Sequence, residues 1–439
     1  MDHLNQKFDI VIVGGGILGT SIAYFLSFLN TSKKIGVIEQ AHKVAFHTSG
    51  RNTGKVHAPY LYDPNKKKLF AKSAFHGYEM WKQYAELKNL PFKKDGVIEV
   101  SLDQQGVRIL EKYEKWGKEN GLDHKDLELL EKSDLKKIEP EIKCEAGLYV
   151  HRDASTDYSI LTKAIMSDSV ENNIKFIFNK KATEIINKNG FWDITLDHNQ
   201  KISAEVLINA AGGESIDIAH EVGIGENFTD VHFRGEYWQA PKEYLKITKT
   251  SIYSVPEVPE YPFLDPHWIV RVDGRCEVGP NAVPVFSPYG YNKSENIKEF
   301  IPKMLEMIGS GARKTIFDKQ FQELAINEIK SSMSKTTMID RVRRFLPKIN
   351  PEKFKMRGTA GIRSSVIDQR GKFVPDVILL EHKASFHILN YNSPGATGAL
   401  PFSAHVVNQL NEKGIIQNEI EDSQCGPWKF SEIIEKIKD

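Results

Sequence analysis

Cysteine is scarce in this chain of 439 residues, and Cys144, Cys276 and Cys425 form no C-x-x-C pair. Three isolated thiols cannot build a zinc or iron–sulfur site. An odd and sparse set of cysteines is typical of a protein from a reducing compartment rather than of a secreted protein held by disulfides. The sequence therefore predicts no metal site and a cytoplasmic location.

Long apolar runs and an excess of one charge are also missing. No apolar stretch approaches the ~18 residues that suggest a transmembrane helix, and the N-terminal MDHLNQK lacks a signal-peptide pattern. Lysine plus arginine (59) balance aspartate plus glutamate (58), for a formal net charge of +1. This balance predicts no broad nucleic-acid surface. We expect a small-molecule substrate as the main partner, with a peripheral membrane contact left open.

The chain does contain a β-α-β unit at its start. Residues 8–13, FDIVIV, are nearly all apolar and rich in β-branched side chains, as in a buried parallel strand. A glycine turn follows at 14–19. Residues 20–29 have apolar side chains at helical spacing, and residues 33–39, KKIGVIE, read as a second strand. This order predicts a Rossmann-like nucleotide-binding unit.

The glycines of this unit have the G-x-G-x-x-G spacing of a dinucleotide site. Gly14 allows the tight turn, Gly16 lets the backbone approach a pyrophosphate, and Gly19 lets the helix pack closely on the strand. The helix N-terminus attracts phosphates. Glu39 ends the second strand, where a carboxylate can accept hydrogen bonds from ribose hydroxyls. The pattern predicts a dinucleotide but does not separate FAD from NAD.

Four later segments resemble the D-amino-acid oxidase-like (DAO) superfamily of flavoproteins. They are residues 47–57 (HTSGRNTGKVH), 209–213 (NAAGG), 361–363 (GIR) and 393–398 (SPGATG). The resemblance implies that FAD is the cofactor. Besides the glycine loop and Glu39, it implies FAD contacts from Ser49, Arg51, Asn52, Thr53, Ala211, Gly212, Gly361, Gly395, Ala396, Thr397 and Gly398.

A narrower similarity, over about residues 8–412, is to the L-2-hydroxyglutarate dehydrogenase/oxidase family. It is carried by 233–237 (FRGEY), 262–264 (PFL) with His267, 273–274 (DG), 279–283 (GPNAV), 290–291 (GY) and 360–363 (AGIR). The chain departs from that family's pattern at Arg51, Lys55, Asp265, Pro266, Ser364 and Ser365.

The nucleotide unit and the resemblance together predict an α/β (α+β overall) fold. In it a Rossmann-like FAD-binding domain is interleaved with an antiparallel-sheet substrate domain. We expect the FAD-binding domain at 1–60, 145–230 and 350–412, the substrate domain at 61–144 and 231–349, and a C-terminal extension at 413–439. Residues 428–438 of that extension read as a short amphipathic helix that packs on the body or contacts a membrane or partner.

Oxidation of a 2-hydroxy acid needs a cation for the carboxylate, a base for the hydroxyl proton, and a Cα–H directed at flavin N5 so that hydride can leave. Arg363, in the family's glycine–arginine segment, is the candidate cation, since a guanidinium matches a carboxylate with two hydrogen bonds. His57 and His267 are equal candidates for the base. If the substrate has a second carboxylate, its candidate cations are, in falling order, Arg51, Lys55 and Arg234.

Two other functions are compatible with the sequence. One is the oxidation of an amine or amino acid, as in the glycine and sarcosine oxidases of the same superfamily. The other is a non-catalytic flavin-binding subunit. The two histidines favour an alcohol, because an amine can lose its proton to solvent beforehand and has less need of a base. For the electron acceptor, oxygen, a quinone and an electron-transfer protein are all candidates.

Overall fold

The computed structural model describes residues 6–28, 33–256, 265–393, 395–416 and 424–438. Pro262, Phe263, Leu264 and Pro394, which carry part of the family resemblance, lie outside the described residues. So does part of the predicted C-terminal extension, at 417–423. Within the described ranges, no helix combines the length and the apolar composition needed to cross a membrane.

The described strands form five sheets. In chain order the strands are β1 (Gln6–Val13), β2 (Ile35–Ile38), β3 (Lys55–Val56), β4 (Phe92–Lys93), β5 (Val97–Ser101), β6 (Leu127–Glu131), β7 (Ala146–Val150), β8 (Ala154–Thr156), β9 (Lys175–Ile177), β10 (Ala182–Lys188), β11 (Phe191–Leu196), β12 (Lys201–Asn209), β13 (Phe228–Gly235), β14 (Trp238–Gln239), β15 (Ser251–Ser254), β16 (His267–Val270), β17 (Cys276–Gly279), β18 (Val283–Val285), β19 (Met356–Arg357), β20 (Gly361–Asp368), β21 (Ile378–His382), β22 (Ser385–Leu389), β23 (Gln424–Cys425) and β24 (Trp428–Lys429).

The helices lie between and around these sheets. They are α1 (Ile17–Ser27), α2 (Lys68–Lys88), α3 (Gln104–Glu119), α4 (Lys132–Ile138), α5 (Tyr158–Glu171), α6 (Ser215–Glu221), α7 (Lys293–Lys298), α8 (Phe300–Gly309), α9 (Ala312–Ile316), α10 (Lys319–Met333), α11 (Lys335–Arg343), α12 (Gly395–Glu412) and α13 (Phe430–Ile437).

The sheet that contains the glycine motif is parallel at its centre. Strand β1 lies between β2 and β12 and is parallel to both. Strand β9 extends the sheet beyond β2, and β12 also pairs with β11 and β22. Val11 and Ile12 of β1 are fully buried, which explains why the strand is nearly all apolar. The α/β class predicted from the sequence is confirmed, and strands distant in the chain meet at this sheet.

Two further sheets lie outside the nucleotide unit. One has eight strands in the order β19-β14-β17-β16-β15-β5-β7-β6, antiparallel except for the β15–β5 pair. The other is antiparallel and has the order β18-β13-β20. These sheets place His267 at the start of β16 and Arg363 near the start of β20. The domain boundaries given above stay a prediction.

The C-terminal helix α13 packs on the body of the protein. Its apolar side chains Phe430, Ile433, Ile434 and Ile437 are all buried and belong to the same core as α1 and α12. Of the two expectations for this segment, the packed helix is the one observed.

Candidate active site

The glycine loop connects β1 to α1 and packs against Ala210, just after the end of β12. Gly14 has a φ of +110°, and a Cβ added there would collide with the carbonyl oxygen of Ala210. A Cβ on Gly19 would collide with the carbonyl oxygen of Gly14. At Gly16, by contrast, an added Cβ would meet only the Ser49 hydroxyl, at 3.1 Å. The loop is therefore tight where it packs on the sheet and more open at Gly16, as a pyrophosphate site requires.

Glu39 lies beside this loop and is buried. Its carboxylate accepts hydrogen bonds from the backbone N–H groups of Gly15 at 2.8 Å and Ala41 at 2.7 Å. Burial raises the pKa of Glu39, and the two backbone donors oppose this effect. Since each carboxylate oxygen can accept a further hydrogen bond, the residue fits a ribose contact.

The segment after Glu39 is tied to the first helix. The Ser49 hydroxyl accepts the N–H of Ile17 at 2.9 Å, at the first turn of α1. The Asn52 amide donates to the carbonyl oxygens of Thr48 and Ser49, and Thr53 follows it in a half-buried position. These bonds hold small polar side chains beside the glycine loop.

Arg51 binds protein groups within the same segment. Its Nε donates to the Phe46 carbonyl at 3.1 Å, and its guanidinium lies 4.2 Å from the centre of the Tyr291 ring. Gly361 packs against its backbone so closely that an added Cβ would collide with the Arg51 carbonyl oxygen. These contacts favour a role for Arg51 in shaping the site rather than in binding a second substrate carboxylate.

Two more predicted cofactor segments converge on this region. Ala211 and Gly212 follow β12, and Gly212 has a φ of +61° with nothing within 4 Å of an added Cβ. At the start of α12, the Thr397 hydroxyl accepts the backbone N–H of His57 at 3.1 Å. Thr48 reaches the strand of Arg363 through its hydroxyl, which donates to the Ile362 carbonyl at 2.9 Å.

The other residues of α12 that the sequence predicts to contact FAD lie against neighbouring helices and loops. A Cβ on Gly395 would come within 2.8 Å of the Tyr391 ring, and one on Gly398 within 2.7 Å of the Ser73 side chain on α2. The Ala396 carbonyl accepts the indole N–H of Trp81, also on α2, at 3.0 Å. Helix α2 thus fixes the position of the α12 N-terminus.

His57 is oriented by a buried carboxylate. Its Nδ1 lies 2.7 Å from Oδ2 of Asp153, whose side chain is fully buried, whereas the histidine side chain is 15% exposed. The other oxygen of Asp153 accepts the N–H of Ala58 at 2.6 Å. A carboxylate only accepts hydrogen bonds, so Nδ1 carries the proton and Nε2 is left as the acceptor.

His267 has a different environment. It is buried and stacks on Tyr253, with 3.9 Å between ring centres and 14° between ring planes. Within the described part of the chain, its Nδ1 has no hydrogen-bond partner. Burial lowers its pKa to about 3, and the nearby charges of His57 and Arg363 act in the same direction. His267 is therefore a neutral imidazole at physiological pH.

Arg363 lies on β20, opposite Phe233 of β13, and is half-buried. Burial lowers the pKa of its guanidinium, while its neighbours Tyr237 and Tyr62 oppose this effect. It is also an electrostatic neighbour of His267. The structure thus brings together the three residues that the sequence singles out for catalysis.

The other two candidates for a second substrate carboxylate are engaged elsewhere. Lys55 is buried, with its ammonium 2.6 Å from the Ser155 hydroxyl and 3.3 Å from the Asp95 carboxylate. Arg234 pairs with Glu236 at 2.9 Å and donates to a backbone carbonyl. Both cations are therefore engaged by other protein groups.

Sequence reasoning did not identify Asp153 or Tyr253. The signal for Asp153 was weak, namely three polar residues, 151–153, between the buried strands β7 and β8. Tyr253 lies in a short buried strand and has no motif around it. Both act through tertiary contacts with the histidines.

Comparison with known proteins identifies the family. Residues 9–409 match the family model described as FAD dependent oxidoreductase (DAO). The chain is 29% identical to L-2-hydroxyglutarate dehydrogenase of Indibacter alkaliphilus, over 91% of this chain and 98% of that protein. For the protein of the same name from Escherichia coli K12 the identity is 28%, over 92% and 93% of the two chains.

Solved structures show the same fold. L-alpha-glycerophosphate oxidase from Mycoplasma pneumoniae superposes with a TM-score of 0.74 at 21% identity, covering 97% of this chain and 98% of that one. Glycine oxidase from Geobacillus kaustophilus gives a TM-score of 0.68 at 13% identity, covering 95% and 97%. With its nucleotide loop, its convergent segments and a family match over residues 9–409, the chain belongs to the FAD dependent oxidoreductase (DAO) family, and FAD is its cofactor.

Proposed function

We propose that this enzyme oxidises a 2-hydroxy acid, L-2-hydroxyglutarate or a close analogue, to the corresponding 2-oxo acid. The observation that carries the proposal is a histidine held by a buried carboxylate, His57 on Asp153, in the same cluster as Arg363. Relatives that are named L-2-hydroxyglutarate dehydrogenase match this chain over more than nine-tenths of its length.

The convergence of these segments supports a single FAD site. Bound FAD supplies the acceptor for the hydride that leaves C2 of the substrate. We assign its binding to Gly14, Gly16, Gly19, Glu39, Ser49, Arg51, Asn52, Thr53, Ala211, Gly212, Gly361, Gly395, Ala396, Thr397 and Gly398. Turnover also requires an electron acceptor, for which oxygen, a quinone and an electron-transfer protein are the candidates.

Arg363 binds the C1 carboxylate of the substrate in this proposal. A guanidinium presents two parallel N–H groups that match the two carboxylate oxygens, so it fixes both the position and the rotation of the acid. Because the arginine is half-buried, the pair is less screened by solvent than a surface pair. Fixing C1 in this way determines where the C2–H bond points.

His57 accepts the hydroxyl proton on Nε2. Asp153 holds the ring by its Nδ1–H and stabilises the imidazolium that forms. As the O–H proton moves to His57, C2 releases hydride with its electron pair and the C=O bond forms. His267 is a weaker base, because an imidazole with a pKa of about 3 holds a proton poorly. We propose that His267 lines the site as an uncharged side chain, stacked on Tyr253.

A dye-linked assay tests the proposal. The purified holoenzyme is given an artificial electron acceptor and, in turn, L-2-hydroxyglutarate, its D enantiomer, glycine and sarcosine, and the 2-oxo acid product is measured. We expect dye reduction with the L-hydroxy acid. Reduction with glycine or sarcosine alone would assign amine oxidation instead. A holoenzyme that reduces the dye with none of these compounds would favour a non-catalytic flavin-binding role.

A further inference from the structure

A hydrogen-bonded arginine joins the sheet of His267 to the predicted FAD segment, residues 47–57. Arg271 directly follows β16, the strand that begins with His267. Its Nη1 donates to the backbone carbonyl of Asn52 at 2.6 Å. Its Nε and Nη2 donate to one carboxylate oxygen of Glu277 on β17, at 2.7 and 2.5 Å. One guanidinium therefore contacts both regions at once.

The sheet side of this contact is firmly held. Glu277 is buried and lies opposite Ile269 of β16 and Gln239 of β14. A Cβ added to Gly358 would lie 3.0 Å from the Glu277 carboxylate, so this side chain has little room to move. Hydrogen bonds between a guanidinium and a carboxylate are short and directional. Glu277 therefore fixes the guanidinium of Arg271 relative to β16 and β17.

The other side of the contact continues towards the glycine loop. The Asn52 side chain donates to the carbonyl of Ser49 at 2.8 Å and accepts the N–H of Gly54 at 2.9 Å. The Ser49 hydroxyl in turn accepts the N–H of Ile17, at the first turn of α1. The proposed base, His57, lies in the same segment. A shift of Asn52 would therefore act on the contact with α1 and on the segment that carries the base.

Close packing does not fix the spacing of the two regions beside this contact. A cavity of about 100 Å³ is lined by Arg271, Arg275 and Glu277 from the sheet and by residues 49–52 from the FAD segment. Protein interiors are close-packed and have few such voids. Because side chains leave this space open, the hydrogen bonds of Arg271 hold the FAD segment to the sheet at this point.

We infer that Arg271 is a positioning residue, which sets the spacing between the FAD segment and the substrate site. The inference rests on the proposed function, because the steps that it affects are hydride and proton transfer from a 2-hydroxy acid. Both transfers need close and aligned atoms, and a misplacement of about 1 Å can lower a rate about a hundredfold. The donors of Arg271 bind Asn52 and Glu277, so its loss should slow flavin reduction more than it weakens substrate binding.

The test compares two changes of this contact. The double variant Arg271→Met/Glu277→Gln removes it without leaving an unpaired buried carboxylate, which would itself destabilise the protein. Arg271→Lys keeps a positive charge beside Glu277, but its single nitrogen cannot replace donors on two sides of a guanidinium.

Anaerobic flavin reduction and FAD binding are measured for both variants. At saturating L-2-hydroxyglutarate we expect reduction to slow about ten- to a hundredfold, while the substrate concentration that gives half the maximal rate stays nearly constant. The dissociation constant of FAD should rise about two- to tenfold, as for the loss of one hydrogen bond, and the visible circular dichroism of the bound flavin should change. Arg271→Lys should keep a melting temperature near that of the wild type, which separates positioning from stability.

The matched control is Arg275→Met. Arg275 lines the same cavity, but its side chain is 57% exposed and pairs with Asp273 of its own turn. This variant should reduce its flavin at the wild-type rate and keep the wild-type flavin spectrum.

Three results would overturn the role of Arg271 while leaving the proposed function in place. They are a wild-type reduction rate in the double variant, recovery of both rate and FAD affinity in Arg271→Lys, and an equal slowing in Arg275→Met. The FAD measurements need no substrate. If no 2-hydroxy acid reduces the wild-type flavin, the proposed function is wrong, and an unchanged FAD affinity and flavin spectrum in the double variant would then overturn the role of Arg271 as well.

Discussion

The environments of the two histidines differ at the scale of single residues, and this difference has kinetic consequences. His57 is held by Asp153 at 2.7 Å, whereas Nδ1 of His267 has no such partner in the described part of the chain. His57→Gln should lower kcat/KM by about 10²–10⁴-fold, the usual contribution of a general base. His267→Gln should lower kcat/KM less than this. It should also leave the acid limb of the pH profile in place. With a pKa of about 3, His267 is already neutral across the working range.

Steady-state rates of both variants across the pH range check this prediction, with bound FAD as the control for folding. The assignment of the base would have to be exchanged if His267→Gln lowered kcat/KM more than His57→Gln did.

Arg363 supports a second prediction at this scale. Arg363→Lys keeps the positive charge but loses the two-pronged contact, so kcat/KM should fall clearly. Arg363→Ala should lower it by about a hundredfold or more, because the substrate carboxylate would then be buried without a partner. FAD binding should persist, since the phosphates are held elsewhere. Near-normal turnover of the best substrate by the alanine variant would make Arg363 structural.

Sequence could identify some of these residues but not their partners. His57, His267 and Arg363 lie in segments with a recognisable family pattern. Asp153 is 96 positions from His57, and nothing in the local sequence distinguishes it from a surface aspartate. Charge alone suggested Arg51, Lys55 and Arg234 for a second carboxylate. The burial and the protein contacts that hold these three cations become visible only in three dimensions.

At the scale of elements, the glycine loop gives the sharpest steric prediction. Gly19→Ala should push α1 away from β1, because the added Cβ collides with the Gly14 carbonyl oxygen. The free energy of unfolding should fall by about 1–3 kcal/mol, as for other overpacked sites. FAD binding should also be weaker. Gly309→Ala is the control, since nothing lies within 4 Å of a Cβ added there. Thermal unfolding and FAD titration measure both effects, and equal behaviour of the two variants would contradict this account of the loop.

The C-terminal helix gives a prediction about stability. Phe430 is 2% exposed and packs in the core shared with α1 and α12. Phe430→Ala should therefore lower the free energy of unfolding by about 3–5 kcal/mol, as for other large-to-small core changes. Lys429→Ala changes an exposed neighbour and should be nearly neutral. Chemical denaturation checks both variants. A neutral Phe430→Ala would show that α13 contributes little to the folded state.

Elements with a strong local pattern were the ones that the sequence predicted well. The β-α-β unit is apparent because its strands are uniformly apolar and its glycines have a fixed spacing. The short strands β3, β4, β14 and β19 have two residues each, too few for any periodicity. They exist because neighbouring strands supply hydrogen bonds, as β8 does for β3 and β4.

At the scale of the whole molecule, the proposed FAD site takes segments from both ends of the chain. Ligand that binds only the folded state stabilises it, by about 2.7 kcal/mol at a concentration one hundred times Kd. The melting temperature of the apoprotein should therefore rise with added FAD. FMN should have a much smaller effect, because it lacks the adenosine ribose assigned to Glu39. Glu39→Ala should weaken the response to FAD. Equal stabilisation by FMN and FAD would contradict the assignment of the glycine loop and Glu39.

The central claim is that this fold positions a 2-hydroxy acid so that hydride leaves C2. The most direct measurement is the anaerobic loss of the yellow flavin colour on mixing the holoenzyme with L-2-hydroxyglutarate, with and without deuterium at C2. We predict that the L-hydroxy acid bleaches the flavin, yields the 2-oxo acid in equal amount, and reacts more slowly when C2 carries deuterium. A flavin that glycine or sarcosine bleaches but that no 2-hydroxy acid bleaches would contradict the account.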